Sequence, residues 1–163
     1  MESRTPAIAV RANLPRFGEI AYTQTDVIEF PWGMPGFAAC TRWLVLALES
    51  QPNFVWLQSL DDVRVALPAA SPRSLFDWYQ PELPASAFVA LGITAAGDFT
   101  TLCVVVVGKD AAEMSMNLAA PILINVRARK ALQITLPGGE YSAREKLPRT
   151  YDCAGAALAA KAS

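Results

Sequence analysis

The stretch from Met116 to Gln133 reads MNLAAPILINVRARKALQ. It splits into two apolar halves around a basic turn, Arg127-Ala-Arg-Lys130. Pro121 to Val126 and Leu132 to Leu136 are each strand length, and together they form a pair that builds a core and presents a polar edge. Within the stretch no nucleophile meets a base, no glycine-rich loop could cradle a phosphate, and no spacing suits a metal.

The same pattern extends outward in both directions. Thr100 to Val107 is the clearest central strand, β-branched and nearly free of polar side chains. Phe17 to Tyr22 alternates apolar and polar residues, as a half-buried strand does. Val27 to Phe30, Trp43 to Leu48, Phe54 to Leu60 and Met114 to Leu118 are further strands. Val63 to Leu67 is expected to close a hairpin across a turn at Asp61-Asp62. Pro137-Gly-Gly139 turns into a last extended stretch, Glu140 to Lys146. Mid-chain, Ser71-Pro72 opens a short helix, with Pro at its first position and Leu75, Phe76 and Tyr79 on one face. A second short helix is expected around Pro84 to Leu91. The sum is a mainly β fold, a small antiparallel β-barrel or sandwich with one or two short helices.

One domain suits 163 residues. The sequence suggests a flexible leader at 1–16, a β domain at 17–149 and an Ala-rich tail at 150–163. The hydrophobic fraction is 53%, yet no apolar run approaches the ~20 residues of a membrane-spanning helix. The N-terminus has no apolar core of a secretory signal, so the expected location is cytoplasmic. Three scattered cysteines without a CxxC read as reduced thiols, with Cys103 in the core. Histidine is absent, which removes the commonest general base and the His-based triads. No catalytic residue, cofactor or metal ligand is expected. Net charge is −1, but it is segregated: Phe17 to Leu123 carries eleven acidic against four basic residues, a net of −7. Ile124 to Arg149 carries six basic against two acidic, a net of +4. An acidic body disfavours nucleic acid and favours basic partners.

Several blocks carry either a structural or a binding meaning. Pro31-Trp-Gly-Met-Pro-Gly36 is a rigid loop, either a structural corner or a partner contact. Trp56, between Phe54 and Gln58, is either a core aromatic or an exposed anchor. Gln58, Asn117 and Asn125 sit in apolar strands, where their amides either tie loops to strand edges or face a partner. Asp61 and Asp62 are turn acids rather than a metal or acid–base pair, since adjacent turn residues splay apart. The candidate partner-binding residues are therefore Phe54, Trp56, Gln58, Asp61, Asp62, Asn117 and Asn125.

These blocks also resemble one known family. Phe17-Gly-Glu-Ile, Ile28-Glu-Phe-Pro-Trp-Gly-Met-Pro-Gly-Phe37, Phe54-Val-Trp-Leu-Gln-Ser59, Asn117-Leu-Ala-Ala-Pro-Ile-Leu-Ile-Asn125 with Gln133, and Tyr141-Ser-x-Arg144 with Leu147 occur in the order seen in the flagellar assembly factor FliW family. The resemblance spans residues 17 to 148. It implies a non-enzymatic binding protein with two partners. One is flagellin, held in the cytosol before export. The other is CsrA, a small RNA-binding translational repressor of flagellin synthesis, which the freed factor captures and antagonises. No direct nucleic-acid or membrane partner is implied. The alternative is a flagellin chaperone without the regulatory arm. The chain departs from the pattern in two respects: the family usually has Gly where this chain has Ala131, a position expected to need positive φ, and the leader and the Ala-rich tail lie outside it.

Overall fold

The computed structural model describes residues 9–47, 49–50, 52–108 and 113–148. Among the described residues are eleven strands: β1 Val10–Leu14, β2 Gly18–Tyr22, β3 Val27–Glu29, β4 Arg42–Ala47, β5 Val55–Ser59, β6 Ala66–Ala70, β7 Phe99–Val106, β8 Ser115–Met116, β9 Ile122–Asn125, β10 Lys130–Gln133 and β11 Glu145–Lys146. Two short helices, α1 Pro72–Leu75 and α2 Ala85–Ala90, lie between β6 and β7.

Seven strands close a barrel in the order β7-β6-β5-β4-β3-β10-β9, with β9 returning to β7. All neighbours are antiparallel except β10 and β3, which meet in parallel at Lys130 and Glu29. The strand β7 is eight residues long because it serves two partners on one edge. Phe99 to Leu102 pair with β9, and Val105 and Val106 with β8.

The period of two divides the core cleanly. Odd residues of β4 and β5 and even residues of β7 and β9 point inward, so Trp43, Leu57, Ile122 and Ile124 fill the barrel with Phe30 and Ala131. The opposite parities pack beneath outer layers. Trp56, Cys103 and Met116 meet Leu75, Phe76 and Tyr79 from α1 and the turn that follows it. Leu123 and Ile134 meet α2. Burying one such large side chain is worth about 1.5–3 kcal/mol, so the outer layers are part of the fold rather than decoration.

Three expectations change, and one falls outside the described residues. The stretch read as leader contains a strand: Val10 to Leu14 pair with Gly18 to Tyr22 in a separate hairpin. Residues 150–163, the Ala-rich tail, lie outside the described residues. The hairpin after β5 is wider than a turn at Asp61-Asp62. The strand β6 starts at Ala66, and Val63 and Arg64 belong to the loop. Side chains hold that loop open: the Gln58 amide donates to the carbonyls of Val63 and Val65, and the Ser59 hydroxyl accepts the Asp61 and Asp62 N–H groups. Finally, Ala131 does not have positive φ. It is fully buried inside the barrel opposite Ile124, and the left-handed residue of the basic turn is Arg129, at φ 56.

Candidate functional site

The candidate binding residues divide between interior and loops. Phe54, Trp56 and Gln58 are buried, with Trp56 only 1% exposed. The Phe17 ring meets Trp56 edge-on at 5.7 Å, and the Arg16 guanidinium lies 5.6 Å from its ring centroid. These three side chains have no surface to offer a partner in this conformation, so Trp56 is a core aromatic and not an exposed anchor. Gln58 ties the loop after β5, as described above.

The Asp61 carboxylate accepts the N–H groups of Thr41 and Arg42 at 2.8 and 2.9 Å, fixing the start of β4. Asp62 pairs with Arg64, Oδ1 to Nε at 3.0 Å and Oδ2 to Nη2 at 3.1 Å. The hydrogen bonds from Arg64 hold this carboxyl below its usual range. Asn117 accepts the Ala119 N–H at the loop before β9. Asn125 ties two loops: its Nδ2 donates to the Leu91 carbonyl at 2.7 Å, and its Oδ1 accepts the N–H groups of Arg127 and Ala128 at 3.0 Å each. These amides hold loops to strand edges.

Asn125 thereby anchors the end of α2, and α2 builds the main surface feature. Pro84 precedes the helix, and Gly92 at φ 68 ends it. Gly92 N–H donates to Val89 and Ile93 N–H to Phe88, the paired bonds of a Schellman stop. On one flank of α2 three depressions adjoin. The first, about 420 Å³, lies among Trp32, Pro84, Ala87, Ala90, Leu132 and Ile134. The second, about 490 Å³, shares Pro84 and Ile134 and continues along Leu136 and Pro137. The third, about 170 Å³, shares Glu82, Leu136 and Pro137 and ends at Glu140 and Tyr141. They form one groove along β10 and the segment after it. Past Lys130, no other strand pairs with the free edge of β10 among the described residues.

Aromatics mark both ends. Trp32 is 58% exposed in the Pro31–Gly36 loop. Glycine is required in that loop, because a Cβ at Gly33, which stands at φ 69, would lie 2.5 Å from the Ala38 carbonyl oxygen. The loop is thus both the structural corner and a carrier of surface. Trp78, 53% exposed, stacks on Tyr141 at 6.4 Å with planes 8° apart. Val89 on α2 is 79% exposed. Exposed apolar side chains gathered on one face mark protein-interaction sites. The candidate residues named from sequence omit Trp32, although its loop is read there as a corner or a partner contact, and they omit Trp78; each carries a signal. Trp32 sits between Pro and Gly with no strand face to bury it, and Trp78 falls off the face shared by Leu75, Phe76 and Tyr79.

The titratable groups in the core do not suggest chemistry. Burial pushes the Cys103 thiol up to about 12 and raises the Tyr79 hydroxyl, which donates to the Leu118 carbonyl at 2.7 Å. A thiol so disposed is inert. Among the described residues no three His, Cys, Asp or Glu converge to hold a metal ion. Nor is any helix among them long and apolar enough to cross a membrane.

Known proteins resemble this chain along most of its length. The family model described as "FliW protein" matches residues 11–147. A flagellar assembly factor FliW of Caldicellulosiruptor bescii is 34% identical over 128 residues, covering 78% of this chain and 84% of the relative. One from Clostridium tetani is 32% identical over 132 residues, covering 81% and 91%. A crystal structure of the flagellar assembly factor FliW superposes with a TM-score of 0.79 at 27% identity, covering 84% of this chain and 96% of the other.

Proposed function

We propose, from the premise that this chain belongs to the FliW family of flagellar assembly factors, that it is a non-catalytic cytoplasmic protein with two alternating protein partners. It holds flagellin before export. When free of flagellin, it captures a CsrA-type translational repressor and relieves repression of flagellin translation. Synthesis is thereby coupled to secretion. The observation that carries this reading is the apolar groove beside α2, bounded by Trp32 and by the Trp78–Tyr141 stack. Its shape suits the helix-in-groove or strand-addition modes by which proteins take up a segment of a partner. The acidic charge from Phe17 to Leu123 supports the second arm, since it favours a basic regulator and places negative potential near the RNA that regulator binds.

The test is a titration of this protein into a complex of the organism's own CsrA-type regulator with a flagellin leader RNA, with and without flagellin. RNA release that flagellin suppresses is the expected result. Firm flagellin binding without RNA release would leave a flagellin chaperone and remove the regulatory arm.

A further inference from the structure

The groove is not chemically uniform along its length. The Trp32 end is walled by Pro84, Ala87, Leu132 and Ile134 and contains no ionisable side chain. The other end gathers Glu82 and Glu140 with Tyr141 around one depression. Behind Tyr141 lies the parallel, half-exposed ring of Trp78. Neither glutamate has an ion-pair partner among the described residues, and no Lys or Arg lines any part of the groove.

Resting on the reading of this groove as a docking site, we propose that it takes an amphipathic segment of a partner protein whose one end carries Lys or Arg. The apolar face of the segment covers Leu132, Ile134 and Leu136. Its cation sits between Glu82 and Glu140 against the aromatic pair. The chemistry is complementary on three counts. The carboxylates supply charge, the aromatic face attracts a cation, and the lack of any basic lining residue leaves an acidic end of a segment unpaired and repelled. The asymmetry also fixes direction. A segment with its cation at the wrong end brings it to the wall at Trp32, where an indole ring stands but no carboxylate pairs with it. The same features disfavour an anionic lipid surface, whose headgroups the two glutamates repel.

The probe is a pair of labelled 18-residue synthetic helices of Leu, Ala and Gln, identical except for two Lys or two Glu at one end, titrated against the full chain by fluorescence anisotropy. The Lys helix is expected to bind about fivefold or more tighter than the Glu helix, the scale of one aromatic–cation contact plus exposed ion pairs. Glu82→Gln with Glu140→Gln removes the preference, and Glu82→Lys with Glu140→Lys reverses it. Ala90→Trp, at an exposed position on the groove wall, abolishes binding of both helices while leaving the thermal melt unchanged. Equal binding of the two helices that Ala90→Trp blocks overturns the cation preference and leaves the docking site standing. Binding that Ala90→Trp does not touch, or a dimer of this chain that Ala90→Trp dissociates, overturns the docking site itself.

Discussion

Asn125 satisfies three backbone groups with one side chain: the carbonyl that ends α2 and two N–H groups of the basic turn. It is 4% exposed and the Leu91 carbonyl it serves belongs to a buried residue, whereas Arg127 and Ala128 lie on the surface. Asn125→Ala leaves the Leu91 carbonyl unpaired and is expected to cost about 1–3 kcal/mol by urea denaturation. Asn125→Asp separates its two jobs. The carboxylate still accepts from Arg127 and Ala128, but it turns an oxygen toward the Leu91 carbonyl that Nδ2 now meets at 2.7 Å. Hydrogen exchange at Leu91 to Ile93 should then accelerate while the amides of Arg127 and Ala128 stay protected. Equal protection at both places would mean that Asn125 does not hold the helix. Cys103 supports a second expectation, in pH. Its folded value of about 12 lies above the ordinary 9.0, because burial disfavours the thiolate. The stability it contributes is therefore complete below pH 9 and is lost as pH rises toward 12, since only the unfolded chain releases the proton there. Between pH 10 and 11 the wild-type protein should lose about 1.4 kcal/mol per pH unit more than Cys103→Ala. Parallel slopes would place the thiol in contact with water.

At the scale of elements, the first hairpin is a part whose role the sequence conceals. Leu14 is 1% exposed, and Arg16 and Phe17 cover Trp56. Relative to a chain that lacks residues 1–8, one that lacks residues 1–16 should lose about 2–3 kcal/mol for Leu14 alone and shift tryptophan emission to the red as Trp56 meets water. Equal melts for the two truncations would make Val10 to Leu14 dispensable. The strand was hard to foresee because VRANL has few β-branched residues and runs into Pro15, the composition of a loose end. Elements whose faces are set by their own side chains were readable. Phe54 to Ser59 and Thr100 to Val106 alternate or run apolar, and both became barrel strands in the expected places. The boundary of β6 was not readable, because it depends on where the Gln58 amide reaches across the loop rather than on Val63 to Leu67 themselves. The groove was least legible of all. Trp32, Pro84, Ile134 and Tyr141 come from four separate stretches, and only the closed barrel and the docked α2 bring them to one face. Conversely, Phe54 and Trp56, which the sequence offers as candidate contacts, are interior.

For the molecule as a whole, charge and apolar surface give the two proposed partners different physics. The net of −7 between Phe17 and Leu123, offset by +4 from Ile124 to Arg149 in the same barrel, acts beyond direct contact and is screened by salt, with a Debye length of about 10 Å at 0.1 M and 3 Å at 1 M. The walls of the groove act only on contact, and burial of Leu132, Ile134 and Pro84 beneath a partner is insensitive to modest salt. Steering by complementary charge raises association rates by about 10–1,000-fold at low ionic strength. Capture of a basic CsrA-type regulator should therefore slow at least about tenfold between 0.05 and 0.5 M NaCl, almost entirely in the association rate. Flagellin docking, if it rests on the groove, should keep its dissociation rate and lose only the smaller contribution of Glu82 and Glu140. In a competition with both partners present, rising salt should then shift the protein toward flagellin without any change in its fold. Stopped-flow measurements of each association at four salt concentrations decide the matter. A regulator association rate that stays flat across that range would mean that the acidic body is a solvated surface with no part in partner choice, and the preference for one partner over the other would have to be built into short-range contacts alone.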